Sequence, residues 1–113
     1  MSIQNVFIFW ASPLFYESLV RTLIHPNIKL VGATSDYTTI SVDIANTKPN
    51  TIIIENVSKH HSAMVRDILD TFPWTIKIIL LSFKDTKLGV YHHEQRSMMQ
   101  TDDLLQLILS ELR

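Results

Sequence analysis

Three short runs of β-forming apolar residues limit most what this chain can become: Val6 to Phe9, Ile52 to Ile54, and Ile76 to Leu81, the last interrupted only by Lys77. The first two do not alternate with polar residues, so a strand built from either is expected to be buried on both faces. A sheet covered on both sides needs helices on both sides, and the stretches between the runs read as helices. After the first run, Ser12-Pro13 predicts an N-cap followed by proline at the first helical position. Leu14, Phe15, Leu19 and Leu23 then keep helical spacing to about Ile24, where His25-Pro26-Asn27 stops the helix.

Ile28 to Ala33 reads as a second strand, and Thr34-Ser35-Asp36 as turn or cap chemistry. Ile40, Val42, Ile44 and Ala45 give a weak helical face that ends at Lys48-Pro49-Asn50. Thr51 to Glu55 is a strand that finishes on an acid. Ala63, Met64, Ile68 and Leu69 mark a third helix closed by Phe72-Pro73-Trp74, before the strand from Ile76 to Ser82. Strands and helices alternating over short joins imply parallel strands linked by right-handed crossovers. The expectation is a single domain over residues 1–113: an α/β, doubly wound, parallel five-stranded sheet.

That regularity fails after Ser82. No helical stripe runs from Lys84 to Gln100; the residues around Leu88 to Gln95 suit an extended or hairpin segment, with a late strand near Ser97-Met98-Met99. The fourth helix is therefore expected to be missing or replaced by an extended segment. A last helix is expected from a cap at Thr101 or Asp102, with Leu104, Leu105, Leu107, Ile108, Leu109 and Leu112 as its apolar positions.

Composition removes several kinds of chemistry. The chain contains no cysteine, which excludes disulfides, thiolate catalysis and thiolate zinc sites and suits a cytoplasmic protein. With glycine only at positions 32 and 89, no phosphate-cradling loop can be built, so dinucleotide and P-loop binding are not expected. A net charge of −1 gives no global attraction to nucleic acid or to an anionic membrane, and no apolar run approaches the roughly 20 residues that span a bilayer. The pairs His60-His61 and His92-His93, with Glu94, lack the i, i+4 spacing of a helical metal pair and read as solvated surface. No cofactor is expected.

The order of these segments resembles the receiver domain of bacterial response regulators, above all those of the LuxR/NarL type, which are fused to DNA-binding domains. "SPLFYESLVRTLIHPNIKLVGATSD" is similar to that family's proline-led first helix and second strand, and "KPNTIIIENV" to its third strand. "IKIILLSF" resembles the fourth strand with its terminal hydroxyl residue, and "TDDLLQLI" the start of the last helix. The resemblance implies a flavodoxin-like fold, and it also implies a site. Receivers hold Mg²⁺ on an acid pair after the first strand and on a phosphoacceptor aspartate ending the third. A hydroxyl after the fourth strand and a lysine after the fifth bind the phosphoryl oxygens.

Here Trp10 and Ala11 stand at the acid-pair positions, Glu55 at the phosphoacceptor position, and Ser82 at the hydroxyl; the lysine has no secure counterpart. A hard divalent cation wants several oxygen ligands, and charge neutralisation carries most of phosphoryl transfer. The resemblance thus implies a degenerate receiver, without enzymatic activity, that acts in bacterial signal transduction through a protein partner or as a homodimer. Val90, Tyr91, Met98 and Met99 are the expected contacts, on an edge strand. Two alternatives stay open: a phosphoaccepting receiver using Glu55, and a small-molecule sensor at the strand-end crevice. For Glu55 the expectation is a partly exposed strand-end acid, ahead of a standing imitation of a phosphorylated aspartate. For Trp10 it is either a filler of the space left by metal and water or an aromatic merely packed at a strand end.

Overall fold

A computed structural model of the chain describes residues 3–55, 61–81, 87–92, 95–100 and 108, with only the backbone described at 61–62, 87–92 and 95–100. The elements are β1 (Gln4–Phe9), α1 (Pro13–Thr22), β2 (Ile28–Thr34), α2 (Ile40–Thr47), β3 (Thr51–Glu55), α3 (His61–Thr71), β4 (Lys77–Leu81), β5 (Lys87–His92) and β6 (Gln95–Gln100). One sheet holds all six strands in the order β2-β1-β3-β4-β5-β6. The pairings among the first four of these are parallel, while β4–β5 and β5–β6 are antiparallel.

The expectation of five parallel strands gives way here to four parallel strands and an antiparallel pair. Chain length supplies the reason. Only five residues separate β4 from β5 and only two separate β5 from β6, whereas a parallel return needs a crossover of about ten residues or more. No helix is described between Leu81 and Gln100, so β5 and β6 stand where the fourth helix was expected to be missing or replaced. Of the expected last helix only Ile108 is described, helical and fully buried.

The period of two along each buried strand sorts the core into two layers. Phe7, Phe9, Ile52, Ile54, Ile78 and Leu80 face α2 and α3, where Ile44, Met64, Ile68 and Phe72 meet them. Val6, Ile8, Ile53, Ile79 and Leu81 face the other way, onto Phe15, Leu19 and Leu23 and onto Ile108. Helices on both faces of a parallel sheet explain why these runs carry no polar alternation. Phe15, Leu19 and Leu23 are spaced by four and bury one side of α1; Leu14 and Val42, both counted in the expected apolar faces, are exposed instead.

The ends of the first four strands opposite the α1 N-terminus are fixed by polar groups. Asn50 receives the Asn5 N–H on its side-chain oxygen at 3.0 Å, donates its own N–H to the Asn5 carbonyl at 3.0 Å, and accepts from the Lys77 N–H at 2.9 Å. Beside it, Trp74 Nε1 donates to the Pro49 carbonyl at 2.7 Å while its ring lies tilted on Phe72. Just before Pro49, Lys48 caps α2 in the left-handed region, φ 47°, and donates its N–H to the Ile44 carbonyl. Between β1 and β2 the register slips: Val6 faces Leu30 but Phe7 faces Gly32, so Val31 is the extra residue of a bulge.

Candidate functional site

The C-terminal ends of the parallel strands form the crevice where open α/β sheets usually bind ligands. β1 leads there into Trp10, Ala11 and Ser12, and β3 ends there on Glu55. Glu55 shares strand parity with Ile53, so its side chain leaves the sheet on the α1 side. It is 4% exposed. Its Oε1 accepts the backbone N–H groups of Ala11 at 2.7 Å and Ser12 at 2.9 Å, and its Oε2 accepts the Ser12 hydroxyl at 3.0 Å. The carboxylate is thus held by the loop that opens α1, where the positive end of a helix favours an anion.

This corrects the expectation of a partly exposed strand-end acid. A carboxylate with three donors at these distances can stay buried, because its lone pairs are satisfied by charge-assisted bonds. Ser12 does occupy the N-cap position with Pro13 following it, but its hydroxyl makes no capping bond. Sequence reasoning read Ser12 as a cap alone and missed its role as Glu55's partner. The available signal was parity: Glu55 lies two residues beyond a position on the α1 face.

The structure thus joins Glu55 to Ala11 through its backbone, and to Ser12, which was not among the expected site residues. Trp10 is turned onto α1, where it stacks on Tyr16 with ring centroids 5.3 Å apart and packs against the α1-side core. Its backbone N–H bonds the Thr34 carbonyl at 3.1 Å, which extends the β1–β2 ladder into the loop. Ser82 lies outside the described residues, as do His60, His93 and Glu94. Val90 and Tyr91 lie on β5 and pair with both β4 and β6, so they are interior to the sheet; Met98 and Met99 lie on β6, its last strand.

On the far side of the crevice, Asp36 organises the entry to α2. One of its carboxylate oxygens accepts the Thr38 hydroxyl at 2.7 Å and the Thr38 N–H at 2.9 Å. These bonds, the hydroxyl's first, hold the Asp36 carboxyl below its ordinary range. Both acids flanking the strand ends are therefore engaged by neighbouring backbone and hydroxyl groups. Among the described residues no three His, Asp or Glu side chains come together as metal ligands would. A cleft of about 80 Å³ between α2 and α3, lined by Tyr37, Ile40, Ser41, Met64, Asp67 and Ile68 among others, is well below the few hundred Å³ of a typical ligand pocket.

Comparison of the chain with models of protein families, with curated proteins and with solved structures finds no match. Among the described residues no helix is long and apolar enough to cross a membrane.

Proposed function

We propose that this chain is a receiver-like signalling domain of flavodoxin-like fold that does not take up a phosphoryl group and acts through protein contacts, with a partner or with itself. The parallel order β2-β1-β3-β4, with helices on both faces, is compatible with that fold. The observation that carries the reading is Glu55, whose carboxylate is committed to Ala11 and Ser12. An acid held this way has its oxygens turned inward and offers little to a hydrated Mg²⁺, which keeps near-octahedral oxygen ligation. Among the described residues of the rim, Ala11, Pro13 and Leu14 are exposed and carry no side-chain oxygen, and Ser12 between them spends its hydroxyl on Glu55. Such a rim suits contact with another protein better than it suits phosphate.

The test is incubation of the chain with acetyl phosphate and Mg²⁺, followed by intact mass measurement. The expected result is an unchanged mass. An adduct of about 80 Da, one PO₃ unit, that disappears in Glu55→Gln would overturn the proposal in favour of a phosphoaccepting receiver.

A further inference from the structure

The cleft between α2 and α3 lies on the face of the sheet opposite to Glu55 and α1. Its floor is apolar: Ile40, Met64, Ile68 and Phe72, each no more than 8% exposed, belong to the same core cluster as Phe9, Ile54 and Leu80. Its rim is exposed and polar, made of Tyr37, Ser41, Asp67 and Thr71, with no basic side chain. All of these lining residues are described. Thr71 donates its hydroxyl to the Asp67 carbonyl at 2.6 Å and keeps its lone pairs, and Tyr37 sets its ring edge-on to Phe9. Among the described residues the Asp67 carboxylate and the Ser41 and Tyr37 hydroxyls have no hydrogen-bond or ionic partner. An acid without a partner separates this cleft from the strand-end crevice, where Glu55 and Asp36 are both engaged.

Size limits what can enter. An apolar cavity of about 150 Å³ admits one benzene molecule, and this cleft, at about 80 Å³, has room for a single aliphatic chain and not for a ring. Charge selects the end of that chain. A carboxylate with no partner, set among hydroxyl oxygens and beside an exposed tyrosine ring, attracts a cation. An ammonium group has three donors and suits acceptors spread around a rim, whereas the planar fork of a guanidinium suits a carboxylate met bidentately. We propose that the α2–α3 cleft receives a lysine side chain of a partner protein, its methylenes on Ile40, Met64, Ile68 and Phe72 and its ammonium at Asp67. Long basic side chains lay their stems on apolar surface in this way while the charge stays at the solvent. This rests on the reading of the chain as a protein-contact module, and it names the surface and the chemistry of the partner.

The experiment is NMR titration of the isotope-labelled full chain with the peptide acetyl-Gly-Lys-Gly-amide. Amide shifts are expected to saturate and to centre on Tyr37, Ser41, Asp67, Ile68 and Thr71. Asp67→Asn removes the charge from an exposed side chain; it is expected to weaken binding about threefold, the size of an exposed ion pair, and to leave the unfolding midpoint unchanged. Diaminobutyric acid in place of the peptide's lysine keeps the ammonium but halves the stem, and is expected to bind more weakly. Glutamate in its place is expected to leave these amides unmoved. The three peptides on the wild type still decide if Asp67→Asn fails to fold. The proposal is overturned if the lysine peptide moves other surfaces as much as the cleft, or if the glutamate peptide binds as tightly. n-Butylamine binding as tightly as the lysine peptide would assign the cleft to small amines, and shifts of the same amides on dilution of the chain alone would put a second copy there; either result overturns the partner protein. A phosphoryl adduct with lysine binding intact removes only the reading of the crevice; an unchanged mass without lysine binding removes only the cleft.

Discussion

Glu55→Ala isolates what the buried carboxylate does. It removes the acceptor of the Ala11 and Ser12 N–H groups and of the Ser12 hydroxyl, three bonds of 2.7 to 3.0 Å. Hydrogen bonds to a charged group contribute about 1.5–3 kcal/mol each net of desolvation, and three that share one carboxylate do not simply add. Burying the carboxylate costs several kcal/mol in the first place, and water can enter the shortened side chain's place beside the exposed Ala11. The net destabilisation should be about 2–4 kcal/mol. Glu55→Gln keeps an oxygen for the two N–H groups and lets the Ser12 hydroxyl turn to accept, so it should cost about 1 kcal/mol. Urea unfolding followed by the fluorescence of Trp10 and Trp74 measures both. Hydrogen exchange at Ala11 and Ser12 gives the local readout, with protection lost in the alanine variant and largely kept in the glutamine variant. A Glu55→Ala protein within about 0.5 kcal/mol of wild type, the size of an ordinary surface substitution, with unchanged protection at both amides, would refute the assignment of this acid as the latch of the β1–α1 loop.

Gly32→Ala should destabilise by about 1–3 kcal/mol in thermal unfolding, since its Cβ would stand 3.0 and 3.1 Å from ring carbons of the fully packed Phe7 and 3.4 Å from Thr47 Cγ2. Lys48→Gly should stabilise by about 0.5–1 kcal/mol in the same assay, because Lys48 occupies the left-handed region that glycine enters without a Cβ clash. Trp74→Phe should cost about 1–2 kcal/mol by stranding the buried Pro49 carbonyl. Asp36 is lowered in the folded state, so the stability it adds is present above its unfolded carboxyl range and is lost as pH falls through its folded value. In Thr38→Val the Asp36 carboxyl, followed by NMR titration, should move up toward its ordinary value, and that acid-side loss of stability should shrink.

Two strands were legible because a sheet buried on both faces leaves an uninterrupted apolar run, and Val6 to Phe9 and Thr51 to Glu55 are read from that alone. The start of α1 was legible from Ser12-Pro13 because proline at the first turn lacks only an N–H that the helix does not use. Leu14 and Val42 misled because helical spacing identifies a stripe without saying where it ends, and each lies at the stripe's margin. The fate of Glu55 was hidden because its donors lie 43 and 44 residues earlier, a distance local patterning does not span. The antiparallel β5 and β6 were half legible. The lack of helical period announced an extended segment, but the direction of its pairing follows from loop length.

The two charged residues within the apolar runs share a feature that bears on where function can lie. Glu55 ends β3 and Lys77 begins β4, at opposite ends of the sheet, and by parity both side chains leave on the α1 face. Each meets a helical segment. Glu55 holds the loop that starts α1, and Lys77 Nζ lies 3.4 Å from the carbonyl of Ile108. An anion at a helix start is the pairing that the helix dipole favours, an ammonium beside a carbonyl oxygen has an acceptor, and a buried charge is retained only where such partners satisfy it. These interior charges therefore fix the α1-side layer against the sheet and are engaged within the fold. Groups engaged in this way are poor candidates for turning over a ligand, since each contact to a ligand would have to replace one to the chain.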